Sequence, residues 1–199
     1  WLWKTVDRAG RTSITERNVV GRPVQVIDPA GRTVQYRYDI SGNLTNLVDQ
    51  AGNNTYWNYN TENRQIRKTY MDSTHWDFTY DANGRLSSRT DAKTQTTYYY
   101  YDAVGNLTNV NYPNDADVYF TYDALNRRMQ INDGIGTTTY AFSSCCGLPE
   151  SEDGPFVNDT LYFSYTDAKQ LVQMTSAFLN VEYTYDELLR LKTIVVPEG

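Results

Sequence analysis

The sequence predicts an all-β fold, an array of antiparallel β-hairpins repeating about every 21 residues. Three observations carry that prediction. Tyr38, Tyr59, Tyr80, Tyr101 and Tyr122 stand about 21 residues apart, each with an aromatic residue two places earlier: Tyr36, Trp57, Phe78, Tyr99 and Phe120. The residues around each pair alternate with the period of a half-buried strand. The composition, with 18 Tyr in 199 residues and abundant Thr and Asn, suits strands and turns.

In chain order, the first copies are degenerate. Val6-Asp7-Arg8-Ala9-Gly10 matches Ile27-Asp28-Pro29-Ala30-Gly31 and Val48-Asp49-Gln50-Ala51-Gly52, so the chain opens in mid-repeat; around Asn18 the Gly of the pattern is kept (Gly21) and the Tyr is lost. The first full copy places Val34, Tyr36 and Tyr38 on one strand face and Gln35 and Arg37 on the other. Asp39 follows, then Gly42 and Leu44. The same series gives Asp81, Gly84 and Leu86, then Asp102, Gly105 and Leu107, with Asp123 after Tyr122 and Asn60 replacing Asp after Tyr59. With Ile66 and Met129, the leucines supply an apolar residue six or seven places after the tyrosine. An Asp at this place accepts backbone N–H bonds, and the Gly supplies the positive φ of a tight turn. A second strand then returns from Leu44 or Leu107, its alternation weaker, to a second turn at Asp49–Gly52 or Asp133–Gly136. Consecutive repeats pair antiparallel, with the aromatic rows fixing register.

Residues 143–160 are expected to form an irregular loop. Tyr140 and Phe142 keep the aromatic pair, but the turn reads Ser143-Ser144-Cys145-Cys146-Gly147, and 148–158 contains Pro149, Gly154, Pro155 and three acidic residues. Phe163 and Tyr165 resume the pattern late. Tyr183, Tyr185 and Asp186 recover it, and the chain stops at Gly199 close to the next expected turn. Residues 1–199 are thus expected to be one repeat domain that starts and ends in mid-repeat, as a segment of a longer array or a unit continuing into a neighbour would.

The net charge of −6 and pI of about 4.8 argue against a nucleic-acid partner, which requires clustered Lys and Arg. No apolar run approaches the roughly 18 residues of a membrane-spanning helix, so no membrane insertion is expected.

The Tyr-Asp-x-x-Gly-(Asn/Arg)-Leu pattern resembles the YD-repeat, or RHS-repeat, family. Tyr38-Asp39, Tyr80-Asp81, Tyr101-Asp102 and Tyr122-Asp123 carry the resemblance, with Tyr185-Asp186 and, in part, Tyr59, Phe142 and Tyr165. It implies hairpins in a curved or spiralling sheet, a partial β-shell of the kind seen in toxin-complex cocoons, polymorphic toxins and teneurin ectodomains. It also implies an extracellular or cell-surface setting, with an enclosed polypeptide or an adhesive, glycan-facing surface. The conserved core that closes such shells has no counterpart here, and about nine repeats are few for a complete cocoon. The aromatic face must therefore be covered by rolling up or by further copies.

The residues offer little catalytic chemistry. The Asp ladder lacks the density of a calcium loop, and His75, the one histidine, allows neither a His-bearing triad nor a multi-histidine metal site within the chain. No cofactor, metal or enzymatic activity is expected. Cys145 and Cys146 stay open between a vicinal disulfide, metal ligands completed by a partner, and a pair of reduced small side chains. Asn43, Asn53, Asn106 and Asn158 each begin an N-glycosylation sequence. Inward aromatics are assigned to packing, whereas Trp1, Trp3, Tyr98 and Tyr100 are left for sugar or partner contact. The primary expectation is a non-enzymatic wall module; self-association through edge strands and a carbohydrate-binding adhesion module are the alternatives.

Overall fold

The computed structural model describes residues 1–196, and no helix occurs among them. The turn expected close to Gly199 lies outside these residues. Nineteen strands follow in chain order. Those bearing the aromatic motif or its degenerate copy are β2 (Thr12–Arg17), β4 (Thr33–Tyr38), β6 (Asn54–Tyr59), β8 (His75–Tyr80), β10 (Thr96–Tyr101), β12 (Val118–Tyr122), β14 (Thr137–Phe142), β16 (Leu161–Tyr165) and β18 (Asn180–Tyr185). The return strands are β1 (Leu2–Val6), β3 (Pro23–Ile27), β5 (Leu44–Val48), β7 (Gln65–Thr69), β9 (Leu86–Thr90), β11 (Leu107–Asn111), β13 (Arg128–Asn132), β15 (Pro149–Asp153), β17 (Leu171–Thr175) and β19 (Leu191–Val195). From β5 to β13 the return strands begin every 21 residues, at 44, 65, 86, 107 and 128.

The chain divides into two compact units, Trp1–Tyr98 and Tyr99–Gly199. The first is an antiparallel meander in which each strand from β1 to the start of β10 pairs with its sequence neighbour. The second repeats that arrangement from β11 to β19. Burial alternates along the motif strands as the sequence requires. In β4, Val34, Tyr36 and Tyr38 are half-buried while Gln35 and Arg37 are exposed; β12 and β18 repeat the alternation. With one layer only, full burial is rare among the described residues, and Val110 and Val181 are the buried apolar side chains.

Each motif hairpin whose pairing is described carries a β-bulge, which explains the weak alternation of the return strands. Tyr36 pairs with Leu47 but Tyr38 pairs with Leu44, so two residues three apart in sequence share the aromatic face. The bulge also accounts for the apolar residue falling six places after the tyrosine in some copies and seven in others. Tyr59 pairs with Gln65 and Tyr122 with Arg128, so these are the equivalents of Leu44; Ile66 and Met129 fall in the bulge one place later.

The stretch expected to be an irregular loop contains a strand. β15 pairs with β14 through Tyr140–Glu152 and Ala141–Ser151, and with β16 through Ser151–Tyr162. Proline at its first position needs no ladder donor, which is why Pro149 does not prevent pairing. The irregular parts are the turn at 143–148 and the connection at 154–160, where Asp159 accepts a bond from the Phe156 N–H (2.9 Å).

Candidate functional site

The feature that recurs at every motif position is a joint between hairpins, built from the turn outward. At Asp39 the backbone N–H donates to the Asn43 carbonyl (3.0 Å), and the Gly42 N–H returns to the Asp39 carbonyl (3.1 Å). This is the three-residue hairpin loop in which the fourth residue adopts the left-handed conformation, here Gly42 at φ 93°. Asn63, Asn126 and Leu189 occupy the same left-handed place in other copies.

The aspartate locks the turn. In Asp81, Oδ1 accepts the N–H groups of Asn83 and Arg85 (both 2.9 Å), while Oδ2 accepts Arg85 Nε (2.7 Å). Asp123 holds Leu125 and Arg127 in the same way, and Asp186 holds Leu188 and Arg190. Bonds from the backbone N–H four residues on, reinforced by the arginine side chain, hold Asp81, Asp123 and Asp186 below the usual carboxylate range. At Asp39 the Asn43 amide is the main cause of the same shift. The second turns of the repeat, at Asp7, Asp28 and Asp49, are built alike. Each of these turn aspartates is thus occupied within its own turn.

The motif tyrosine ties that turn to the preceding hairpin. The hydroxyls of Tyr59, Tyr80, Tyr122 and Tyr185 donate to the carbonyls of Leu44 (2.9 Å), Gln65 (2.7 Å), Leu107 (2.8 Å) and Leu171 (2.8 Å). Each acceptor is the first residue of a return strand, beside the bulge. A cation crosses the same joint: Arg22 lies over the Tyr38 ring, Arg64 over Tyr80 and Arg127 over Phe142, at 5.7, 4.9 and 4.5 Å from the ring centres. A Cβ added to Gly42 would strike the Arg22 guanidinium, and one added to Gly84 would strike that of Arg64. Glycine is needed there for space as well as for φ.

The sequence reading finds the tyrosines, aspartates and glycines, and it assigns the inward aromatics to packing. It misses the arginines as joint residues, although the recurrent Arg or Asn four places after Asp or Asn was the available signal. It also misses cations within the aromatic face. Lys68 lies over Trp57 and Tyr70, and Arg89 over Trp76. Trp1, Trp3, Tyr98 and Tyr100 are exposed. His75 opens β8 with Nε2 3.6 Å from Asp77 Oδ2, and no cluster of three metal-ligating side chains occurs among the described residues. The amide nitrogens of Asn43, Asn53 and Asn106 donate to Asp39, Asp49 and Asp102, which sets them apart from the other sequon asparagine, Asn158.

Cys145 and Cys146 stand in the β14–β15 turn with their sulfurs 3.0 Å apart. Ser143 replaces the aspartate, and its Oγ lies 2.8 Å from Cys146 Sγ. A hollow of about 400 Å³ beside them is lined by Leu148, Phe163, Tyr165 and Lys169 among others.

The comparisons agree with this architecture. The chain is similar over 92% of its length to part of a crystal structure of TcdB2-TccC3 without its hypervariable C-terminal region, with a TM-score of 0.61 and 15% identity. It is also similar over 94% of its length to part of a Photorhabdus luminescens Tc holotoxin pore, with a TM-score of 0.55 and 16% identity. It spans 13% and 10% of those chains, respectively. No curated protein sequence matches it. Residues 18–144 match the family model described as Teneurin YD-shell, and the chain belongs to that family.

Proposed function

We propose that residues 1–199 act as one continuous, non-enzymatic wall segment of a curved β-shell in an extracellular or cell-surface assembly. The observation that carries this reading is the joint between consecutive hairpins. Tyrosine and arginine reach from one repeat into the next in a fixed register, so the array acts by extending a sheet rather than by gathering side chains around a reactant. The surface supports it. Apolar turn tips such as Val19, Ile40, Leu125 and Leu188 stand exposed, as expected of a wall that meets further protein. Its partners are neighbouring repeats or further copies and, inside the shell, an enclosed polypeptide.

Electron microscopy of the intact parent polypeptide tests the assignment. The expected image is a hollow particle with this segment in its wall; a solid globule, or this segment projecting as an appendage, refutes it. Two specific observations favour other roles for the same sheet. The exposed Tyr100 on β10 favours glycan contact, and a glycan array read against Tyr100→Ala tests that. The fully exposed strands β1 and β19 favour self-association through sheet edges, for which sedimentation velocity gives the answer: a concentration-independent monomer removes it.

A further inference from the structure

The β14–β15 turn departs from the Asp turns in three ways at once. It is one residue longer: the Ser143 N–H donates to the Leu148 carbonyl (2.8 Å) and the Gly147 N–H to the Ser143 carbonyl (2.9 Å), whereas Asp123 reaches Arg127 and Asn126 returns to Asp123. Unlike the Asp turns, and like those at Asn18, Asn60 and Thr166, it has no carboxylate at the locking place: Ser143 stands there, and its Oγ receives the Cys146 N–H at 3.3 Å. The added length and the missing lock coincide with two adjacent thiols, Cys145 exposed and Cys146 half-buried.

We propose that Cys145 and Cys146 are a reversible thiol–disulfide modification site, whose vicinal disulfide supplies the lock that the missing carboxylate provides elsewhere. The sulfurs lie 3.0 Å apart as thiols, so pairing needs no approach of distant segments. Ser143 Oγ lies within 2.8 Å of Cys146 Sγ and 3.2 Å of Cys145 Sγ, which places both sulfurs against one polar group. Hydrogen bonding from Ser143, then from Cys145, lowers the Cys146 thiol below its ordinary range, with Lys169 contributing charge; this favours Cys146 as the attacking thiolate. Exposed disulfides between residues closer than the usual Cα separation are the readily reduced kind.

The oxidant is a low-molecular-weight disulfide, RSSR. The Cys146 thiolate attacks one sulfur, forming a Cys146–S–S–R bond and releasing RS⁻. Cys145 then loses its proton and attacks Cys146 Sγ, forming the Cys145–Cys146 bond and releasing a second RS⁻. The two thiolates released take up the two protons lost from the cysteines. Two protein thiols are oxidised, one RSSR is reduced to two RSH, and excess dithiol reverses the exchange.

Oxidised glutathione is the probe. After incubation, the whole chain is expected to lose two hydrogens by intact mass, carry no glutathione and leave no alkylatable cysteine; dithiothreitol should restore two. Cys145→Ser should instead retain one glutathione on Cys146, because the resolving thiol is gone. Wild-type protein that keeps a glutathione adduct, forms disulfide-linked dimers or leaves both thiols alkylatable overturns the proposal, and none of these readouts depends on a variant folding.

Discussion

Replacing Tyr80 with Phe removes one oxygen and leaves the rest of the joint in place. The lost atom is the hydroxyl that donates to the Gln65 carbonyl at 2.7 Å, while the ring beneath Arg64, 4.9 Å from the guanidinium carbon, is retained. The cost is therefore that of one half-buried hydrogen bond, about 1 kcal/mol. In a repeat array this loss falls on the interface between neighbours. It should appear in the β7–β8 ladder, which pairs Arg67 with Asp77, Lys68 with Trp76 and Thr69 with His75. Native-state hydrogen exchange is the appropriate assay, and amides there that open through separation of the two hairpins should exchange about fivefold faster. Thermal unfolding should fall by about 2–4 °C if the chain unfolds as one transition. Tyr56→Phe is the control, because Tyr56 is 48% exposed on the opposite face and its substitution should stay within about 0.5 kcal/mol of wild type. If the two substitutions cost the same, or if Tyr80→Phe leaves the β7–β8 amides unchanged, the joint does not hold the array.

Gly52→Ala and Gly84→Ala separate backbone strain from the joint. Both residues have positive φ, 84° and 81°, and each substitution should cost about 1–2 kcal/mol from conformation alone. Gly84→Ala should cost more, since its Cβ displaces Arg64, and the excess should vanish in an Arg64→Ala background; equal costs in a denaturant series would contradict the crowding. Acid should weaken the fold from the turns. Asp81, Asp123 and Asp186 have depressed folded-state pKa values, so their stabilisation is complete above the unfolded aspartate range and is lost as pH falls through the folded values. Denaturant midpoints should hold steady from about pH 7 to 5 and drop below about pH 4; a loss confined to pH 5–7 would contradict the turns as its source.

The legible part of this fold lies where one residue type answers one local demand. Tyr36 and Tyr38 alternate with Gln35 and Arg37 because β4 has one packed and one open face, and Gly42 follows Asp39 because the turn needs a left-handed residue. These demands act within a few residues and leave a mark at each copy. The bulge leaves a fainter mark, because it moves Gln65 and Arg128, which are polar, into the place of Leu44. The apolar side chain of those copies, Ile66 or Met129, then stands seven places after the tyrosine instead of six. The arginines were hidden for another reason. Arg64 satisfies no local rule that its neighbours do not, and its role depends on Tyr80, 16 residues away on the next hairpin. β15 was obscured by its content: Pro149 and three acidic residues argue against a strand, and pairing on both sides overrides them.

The joint has a direction, and that direction connects the fold to its use. Every tyrosine hydroxyl described at a joint reaches back to a carbonyl of the hairpin before it, and every stacked turn arginine reaches forward to an aromatic residue of the hairpin after it. A hairpin therefore supplies an acceptor and a cation to its successor. Where the successor is present the arginine is largely covered: the Arg64 and Arg127 side chains are 27% and 28% exposed. Arg190 holds the same turn position, bonded to Asp186 at 2.8 Å, with its side chain 72% exposed. Each copy thus binds its own turn to the copy after it, and the extent of the sheet follows the number of copies rather than the closure of a core.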